Sequence, residues 1–408
     1  MTTATEDREQ KKASGSSRFS FFADRSIGGF LMDQRAFIVL IVLVIVFAAL
    51  SSNFLSSGNL LTMTRHVAYN ALLSLGMLLV IITGGIDLSV GATLALSTVV
   101  AGELLGGVGL PFINKTAYPS VVAVVIICML VGAFVGWING QLITRFNIAP
   151  FIATLGTMYM ARGTAQLISN GATYPHLQGD AALGNTGFSF LGSGKLLGLP
   201  TQIWIMILIA IIVWFILNKS PFGTWLYATG GNARAAGLSG VPVRRVTVRV
   251  YVISGTLAAL AGLIIASELT SGGPQLGTSF EMNAIAAVVI GGASLAGGRG
   301  NVKGALIGAF VIGFLSDGLT LVGISTFWQT FIKGLIIVLA VMLDQAQERL
   351  KNARAAAAAA ASVRAERGEP TQDPDPEPEG LSDSSGAEPP ETSGAEHPER
   401  SDSATTHK

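Results

Sequence analysis

Val121-Val122-Ala123-Val124-Val125-Ile126-Ile127-Cys128-Met129-Leu130-Val131 runs on through Gly132, Gly136 and Gly140, and no side chain from Pro119 to Ile143 carries a charge. A helix crosses the hydrocarbon core of a bilayer with about 20 apolar residues, so this stretch predicts a spanning helix. The same texture extends outward from Ala36 to Leu343, where 13 basic and 6 acidic residues are all the charge in 308 positions. Soluble domains carry charge on roughly a quarter of their residues. A soluble globule and a peripheral amphipathic protein are therefore both excluded. Hydropathy and helix breakers place spans near 36–52, 66–83, 89–106, 119–143, 148–168, 201–218, 246–268, 280–296, 303–322 and 327–344. The fold class expected is an all-α polytopic membrane protein of about ten transmembrane helices.

Glycine occurs 49 times. The spacing-four sets Gly132, Gly136, Gly140 and Gly300, Gly304, Gly308 predict ridges on which helix backbones approach closely in lipid. Basic residues collect in the N-terminal segment, the even-numbered turns and the C-terminal flank. Arg145, Lys219, Arg234, Arg244, Arg245, Arg249, Arg299 and Lys303 oppose only Arg65, Lys115 and Lys195 in the other loops. The positive-inside rule then puts both termini in the cytoplasm. Residues 1–35 form a polar cytoplasmic segment, 36–345 the transmembrane domain with a cytoplasmic loop at 219–245, and 346–408 a tail. The tail begins Ala-rich, with good helix propensity. From Glu366 to Arg400 it holds 11 acidic and 2 basic residues, a composition of disorder.

Catalytic chemistry is hard to assemble from this sequence. The lone cysteine, Cys128, sits inside an apolar run and reads as helix packing. His66, His176, His397 and His407 are too scattered for a metal or a Ser-His-Asp site. Gly194-Lys195 is followed by Leu196 and opens no phosphate-binding loop. The chain is expected not to be an enzyme, to hold no metal or cofactor, and to bind no nucleic acid.

Ionisable residues near the membrane are more informative. Asp87 follows one apolar run and opens the next. A charge at mid-bilayer costs about 2.5–3.5 kcal/mol on insertion scales, so Asp87 either caps a cytoplasmic helix start through the amides of Ser89 and Val90 or serves transport directly. Glu103 and Glu268 read as solvated carboxylates near outward helix ends, while Glu281, Asp317 and Lys333 pair with one another or snorkel to an interface. In the loop, Asn232 is a fit N-cap for Ala233 to Ala236, and Gly240 with Pro242 stops the chain, which predicts a two-turn helix. So short a helix is marginal alone. It packs either on this chain's own helix ends or in a partner's groove, with Ala235 and Ala236 small enough to lie on the groove floor and Arg234 on the exposed edge.

Gly84-Gly85-Ile86-Asp87-Leu88-Ser89-Val90-Gly91, Asn139-Gly140, Phe151-Ile152-Ala153-Thr154-Leu155-Gly156-Thr157-Met158, Gly230-Gly231-Asn232 with Ala235-Ala236 and Ser239-Gly240, and Asn283 through Gly300 follow one another in an order and spacing that resemble the permease subunits of ribose/xylose-type monosaccharide ATP-binding-cassette importers. The resemblance covers roughly residues 36–345. It implies a type II importer fold in the plasma membrane, an ATP-binding subunit with two cassettes, an extracytoplasmic sugar-binding protein and a second permease copy, identical or paralogous. ATP and magnesium would be used by the ATPase partner and not by this chain. The resemblance also implies that Gly230, Gly231, Asn232, Arg234, Ala235, Ala236, Leu238 and Gly240 form the helix that couples to the ATPase. Asp87, Asn139, Phe151 and Asn283 become candidates for the pathway or its scaffold. Arg234 stands where similar permeases commonly carry an acidic residue, and Gly237 where they often carry a basic one. The rival expectation is an ion-coupled secondary sugar carrier using Asp87, Glu281 and Asp317.

Overall fold

The computed structural model describes residues 35–110, 115–181 and 184–366. The N-terminal segment up to residue 34 and the acidic tail beyond 366 lie outside them. The chain divides into two units, Met1–Arg349 and Leu350–Lys408. The described part of the second is the final stretch of one helix.

The described residues are overwhelmingly helical. In chain order the helices are α1 Arg35–Leu50, α2 Ser57–Ile82, α3 Val90–Gly106, α4 Val121–Arg145, α5 Pro150–Ser169, α6 Ser189–Ser193, α7 Thr201–Lys219, α8 Pro221–Gly231, α9 Ala233–Leu238, α10 Val243–Leu269, α11 Phe280–Ile290, α12 Val302–Leu321 and α13 Thr326–Glu366. Two antiparallel ribbons complete the described elements. β1 Val108–Leu110 pairs with β2 Lys115–Ala117, and β3 Lys195–Leu196 with β4 Leu199–Pro200. Of the ten predicted spans, α2, α4, α7, α10 and α12 are long and apolar enough to cross a membrane. α1, α3, α11 and the start of α13 are shorter apolar helices. α5 is helical as expected but falls in neither group.

Local chemistry explains the boundaries. Ser56, Ser120 and Asn301 cap α2, α4 and α12 by accepting from the amides of Asn59, Ala123 and Gly304, each satisfying a donor that a helix start leaves free. Pro150 and Pro221 occupy the first turns of α5 and α8, where a missing N–H costs nothing. α5 and α10 end on Asn170 and Thr270 in left-handed backbone.

α2 and α10 are buried along most of their length and form the centre of the bundle. α10 packs on α4, α2 and α3, and α12 on α2 and α11. The predicted ridge on α4 faces α10: a Cβ at Gly132 or Gly136 would collide with the carbonyls of Gly255 or Tyr251, and one at Gly140 would come within 2.7 Å of Val248 Cα. α1, α4, α5 and α7 turn broad apolar faces outward, including Ile45, Leu130, Ile152 and Phe215. In water such a surface would drive aggregation; in a bilayer it meets lipid or another subunit.

Two expectations are corrected. The span at 280–296 is helical only as far as Ile290. Gly292, Gly297 and Gly298 take φ values of 90°, 90° and 71°, which L side chains avoid, so 291–301 is a loop threaded through the structure. The loop 219–245 contains two helices, α8 and α9, and not one.

Candidate functional site

Two constellations converge where α2 ends. The first is a buried polar node around Asp87, whose side chain has 0% exposure. Asp87 Oδ1 accepts from the Ser89 amide at 3.0 Å and from Ser89 Oγ at 2.6 Å, while Oδ2 accepts from Ser254 Oγ at 2.9 Å. Ser89 Oγ in turn accepts from Asn139 Nδ2 at 2.8 Å, and Asn139 Oδ1 accepts from Thr157 Oγ1 at 2.5 Å. The node therefore ties the start of α3 to α4, α5 and α10. Its proton directions are set by Asn139. The amide nitrogen can only donate, so the Ser89 hydroxyl must give its one proton to Asp87.

Of the cap expected at Asp87 through the amides of Ser89 and Val90, the Ser89 amide makes its bond. Ser89 begins α3 without a side-chain cap, and the carboxylate faces α10. The pairing expected among Glu281, Asp317 and Lys333 is replaced. His66 Nδ1 lies 3.0 Å from both carboxylate oxygens of Asp317, and Glu281 lies against Gly91. Glu103 accepts from the Tyr174 hydroxyl and Glu268 from Gln202. Of the four pathway candidates, the node joins Asp87 and Asn139. Phe151 stands on the outer face of α5 with 54% exposure, and Asn283 closes the first turn of α11 through its amide to Ser279 O.

The second constellation is a backbone clasp. Gly230, near the end of α8, lies so close to the last turn of α2 that a Cβ there would collide with the Ile82 carbonyl and lie 2.6 Å from the Gly298 amide. That amide donates to Ile82 O at 2.8 Å. Tyr227 Oη donates to Gly300 O at 2.7 Å, and burial raises the phenol's pKa above its ordinary value, keeping the donor protonated. One end of α8 is thus stitched to both the end of α2 and the 291–301 loop.

α9 follows directly. Asn232 Oδ1 accepts from the Ala235 amide at 2.9 Å, as the sequence suggested. Gly240 at φ 86° lets Val241 N donate back to Ala236 O at 3.0 Å, which closes the helix. Ala236 is buried within this chain at 7% exposure, whereas Leu238 is 87% exposed. Ala236 therefore cannot be the residue on a partner's groove floor. Arg234, Ala235, Gly237 and Leu238 form the free face.

Residues 59–341 match the family described as branched-chain amino acid transport system / permease component. The chain belongs to this permease family. Among the permease's relatives, a ribose import permease protein of Bacillus subtilis is 45% identical over 318 residues, covering 78% of this chain and 94% of the relative. That of Haemophilus influenzae is 41% identical with the same coverage. A fructose import permease protein of Rhizobium meliloti is 36% identical over 333 residues, covering 78% and 87%. No solved structure matches this chain.

The permease also holds groups that sequence reasoning passed over. Ser254 was invisible because its partner lies 167 residues away. Arg162 Nη1 donates to the carbonyls of Pro274 and Leu276, satisfying irregular backbone between α10 and α11 that lipid could not. A signal was available, since Gly272-Gly273-Pro274-Gln275-Leu276 repeats the Gly-Gly-x-x-Leu spacing of Gly84-Gly85-Ile86-Asp87-Leu88.

Proposed function

We propose that this permease forms the membrane pathway of an ATP-driven importer for a monosaccharide of the ribose or xylose kind. It would be energised by a separate ATPase with two cassettes, served by an extracytoplasmic sugar-binding protein and paired with a second permease copy. The observation that carries this reading is the identity of 41–45% to ribose import permeases over 94% of their length. Both termini lie in the cytoplasm, ATP and magnesium belong to the ATPase, and the chain itself catalyses no reaction.

The geometry supports a route for coupling. The free face of α9, with the exposed Leu238 at its C-terminal end, meets the ATPase. When the cassettes close, α8 moves with α9, and a rigid contact is needed for that displacement to reach the membrane. The clasp at Gly230 and Tyr227 supplies it. Displacement there loads the last turn of α2 and the loop before α12 together, and α2 leads within five residues to the Asp87 node, which holds α3, α4, α5 and α10 in register. Asp87 serves as scaffold in this scheme, because all its bonds are internal to the protein.

The test is uptake in proteoliposomes. Sugar accumulation should need the ATPase, the binding protein and ATP. Accumulation by this subunit alone under a sodium or proton gradient would replace the proposal with the ion-coupled carrier.

A further inference from the structure

At one end of the bundle, where α4 finishes and α10 begins, an open cavity of about 400 Å³ is lined by Gln141, Thr144, Arg244, Arg245, Val248 and Arg249. All three arginines are exposed, and among the described residues no carboxylate comes within ion-pair distance of them. Their position is electrostatically adverse. They crowd the first two turns of α10, the positive end of its dipole, with no acidic residue in the first turn and no side-chain cap. Like charges stacked on a helix N-terminus call for an anion.

A second cavity, of about 320 Å³, adjoins the first through Arg249 and is lined by Ile216, Ser220, Phe222, Val252 and Ile253, almost entirely apolar. Because α4, α7 and α10 are membrane-spanning candidates, both cavities open where their helix ends meet the bilayer surface. A cationic hollow and an apolar groove that share Arg249 as a wall fit an amphiphile: guanidiniums pair bidentately with phosphate, while hydrocarbon covers the groove. A free phosphate would leave the groove empty, and an acidic peptide would set charge against it. We propose that this site binds an anionic phospholipid, with Arg244, Arg245 and Arg249 on the headgroup and the Ile216, Phe222, Val252, Ile253 groove on an acyl chain.

The full-length permease, purified and placed in nanodiscs, tests this by native mass spectrometry and thermal melting. From an equimolar mixture of phosphatidylglycerol and phosphatidylcholine it should retain phosphatidylglycerol with a preference of about tenfold or more, since each basic residue near an anionic surface contributes about 1 kcal/mol. Phosphatidylglycerol nanodiscs should raise the melting temperature over phosphatidylcholine ones. The triple variant Arg244→Gln, Arg245→Gln, Arg249→Gln should lose both effects, and Ile253→Asp, which leaves the arginines in place, should weaken retention. Equal retention of the two lipids by the unmodified protein would overturn the proposal without any variant. So would inorganic phosphate reproducing the thermal shift, which would mean a free-anion site, or a triple variant that keeps its lipid preference but no longer copurifies with the ATPase.

Discussion

Among the described residues no basic side chain bonds Asp87, and hydroxyls and an amide alone hold its carboxyl group. Because the Ser89 proton points at Oδ1 and so does the Ser89 amide, an oxygen is needed at that position but a charge is not. Asp87→Asn should therefore keep Oδ1 in place and turn Nδ2 toward Ser254 Oγ, which can accept. Abundance in the membrane and melting temperature in detergent should stay close to wild type. Asp87→Ala leaves Ser89 and Ser254 without their acceptor, at roughly 1–3 kcal/mol for each buried group left unpaired, and should melt markedly earlier. Loss of uptake in Asp87→Asn with the complex intact would show that the charge itself is used. A second contrast concerns packing. Gly136→Ala drives a methyl into the Tyr251 carbonyl, whereas Gly163→Ala on α5 meets open space. The first should lower the melting temperature; the second should leave it unchanged or raise it slightly, since alanine gains up to about 1 kcal/mol over glycine within a helix.

Among elements, α8 and α9 divide the labour of one loop. α8 is bonded inward, α9 presents its free face outward, and the turn at Asn232 joins them. Tyr227→Phe removes a hydrogen bond worth about 1 kcal/mol without changing shape. It should leave copurification with the ATPase intact while lowering both uptake and the stimulation of ATP hydrolysis by loaded binding protein; unchanged stimulation would mean that the clasp carries no displacement. Leu238→Glu and Ala236→Glu separate the two faces of α9. The exposed position should lose the ATPase with the permease still folded, because a carboxylate replaces an apolar contact. The buried position should instead reduce the amount of folded permease, because the carboxylate lands inside this chain. Equal copurification of Leu238→Glu would remove α9 from the interface.

Over its described residues, the unit Met1–Arg349 is a bundle whose outer helices expose apolar faces and whose centre, α2 with α10, holds glycines and is polar in places. Transport in such a protein depends on rigid groups of helices moving against one another, and the close backbone contacts of α4 on α10 keep those two helices together in one such group. The acidic segment from 370 to 408 contributes few apolar residues. Truncation after Gly368 should leave the maximal uptake rate unchanged at equal membrane abundance. A tenfold drop would assign the tail a part in transport itself.

The sequence alone was enough to establish the class of this protein. Charge is scarce over 308 residues, and apolar runs alternate with glycine breaks; one-dimensional patterns suffice there because the bilayer imposes a single length scale and a single polarity. The order of short motifs was equally legible, and it led to the permease family and to Asn232 as a helix cap, an interaction spanning three residues. Only the tertiary structure decided where those motifs go. It put Asp87 inside the protein against Ser254, paired His66 with Asp317, ended α11 at Ile290 and turned Ala236 inward. Each outcome depends on contacts between residues far apart in the chain, or on backbone angles that glycine permits without announcing. A periodic pattern can say that a helix has a face, but the face it meets is set by packing.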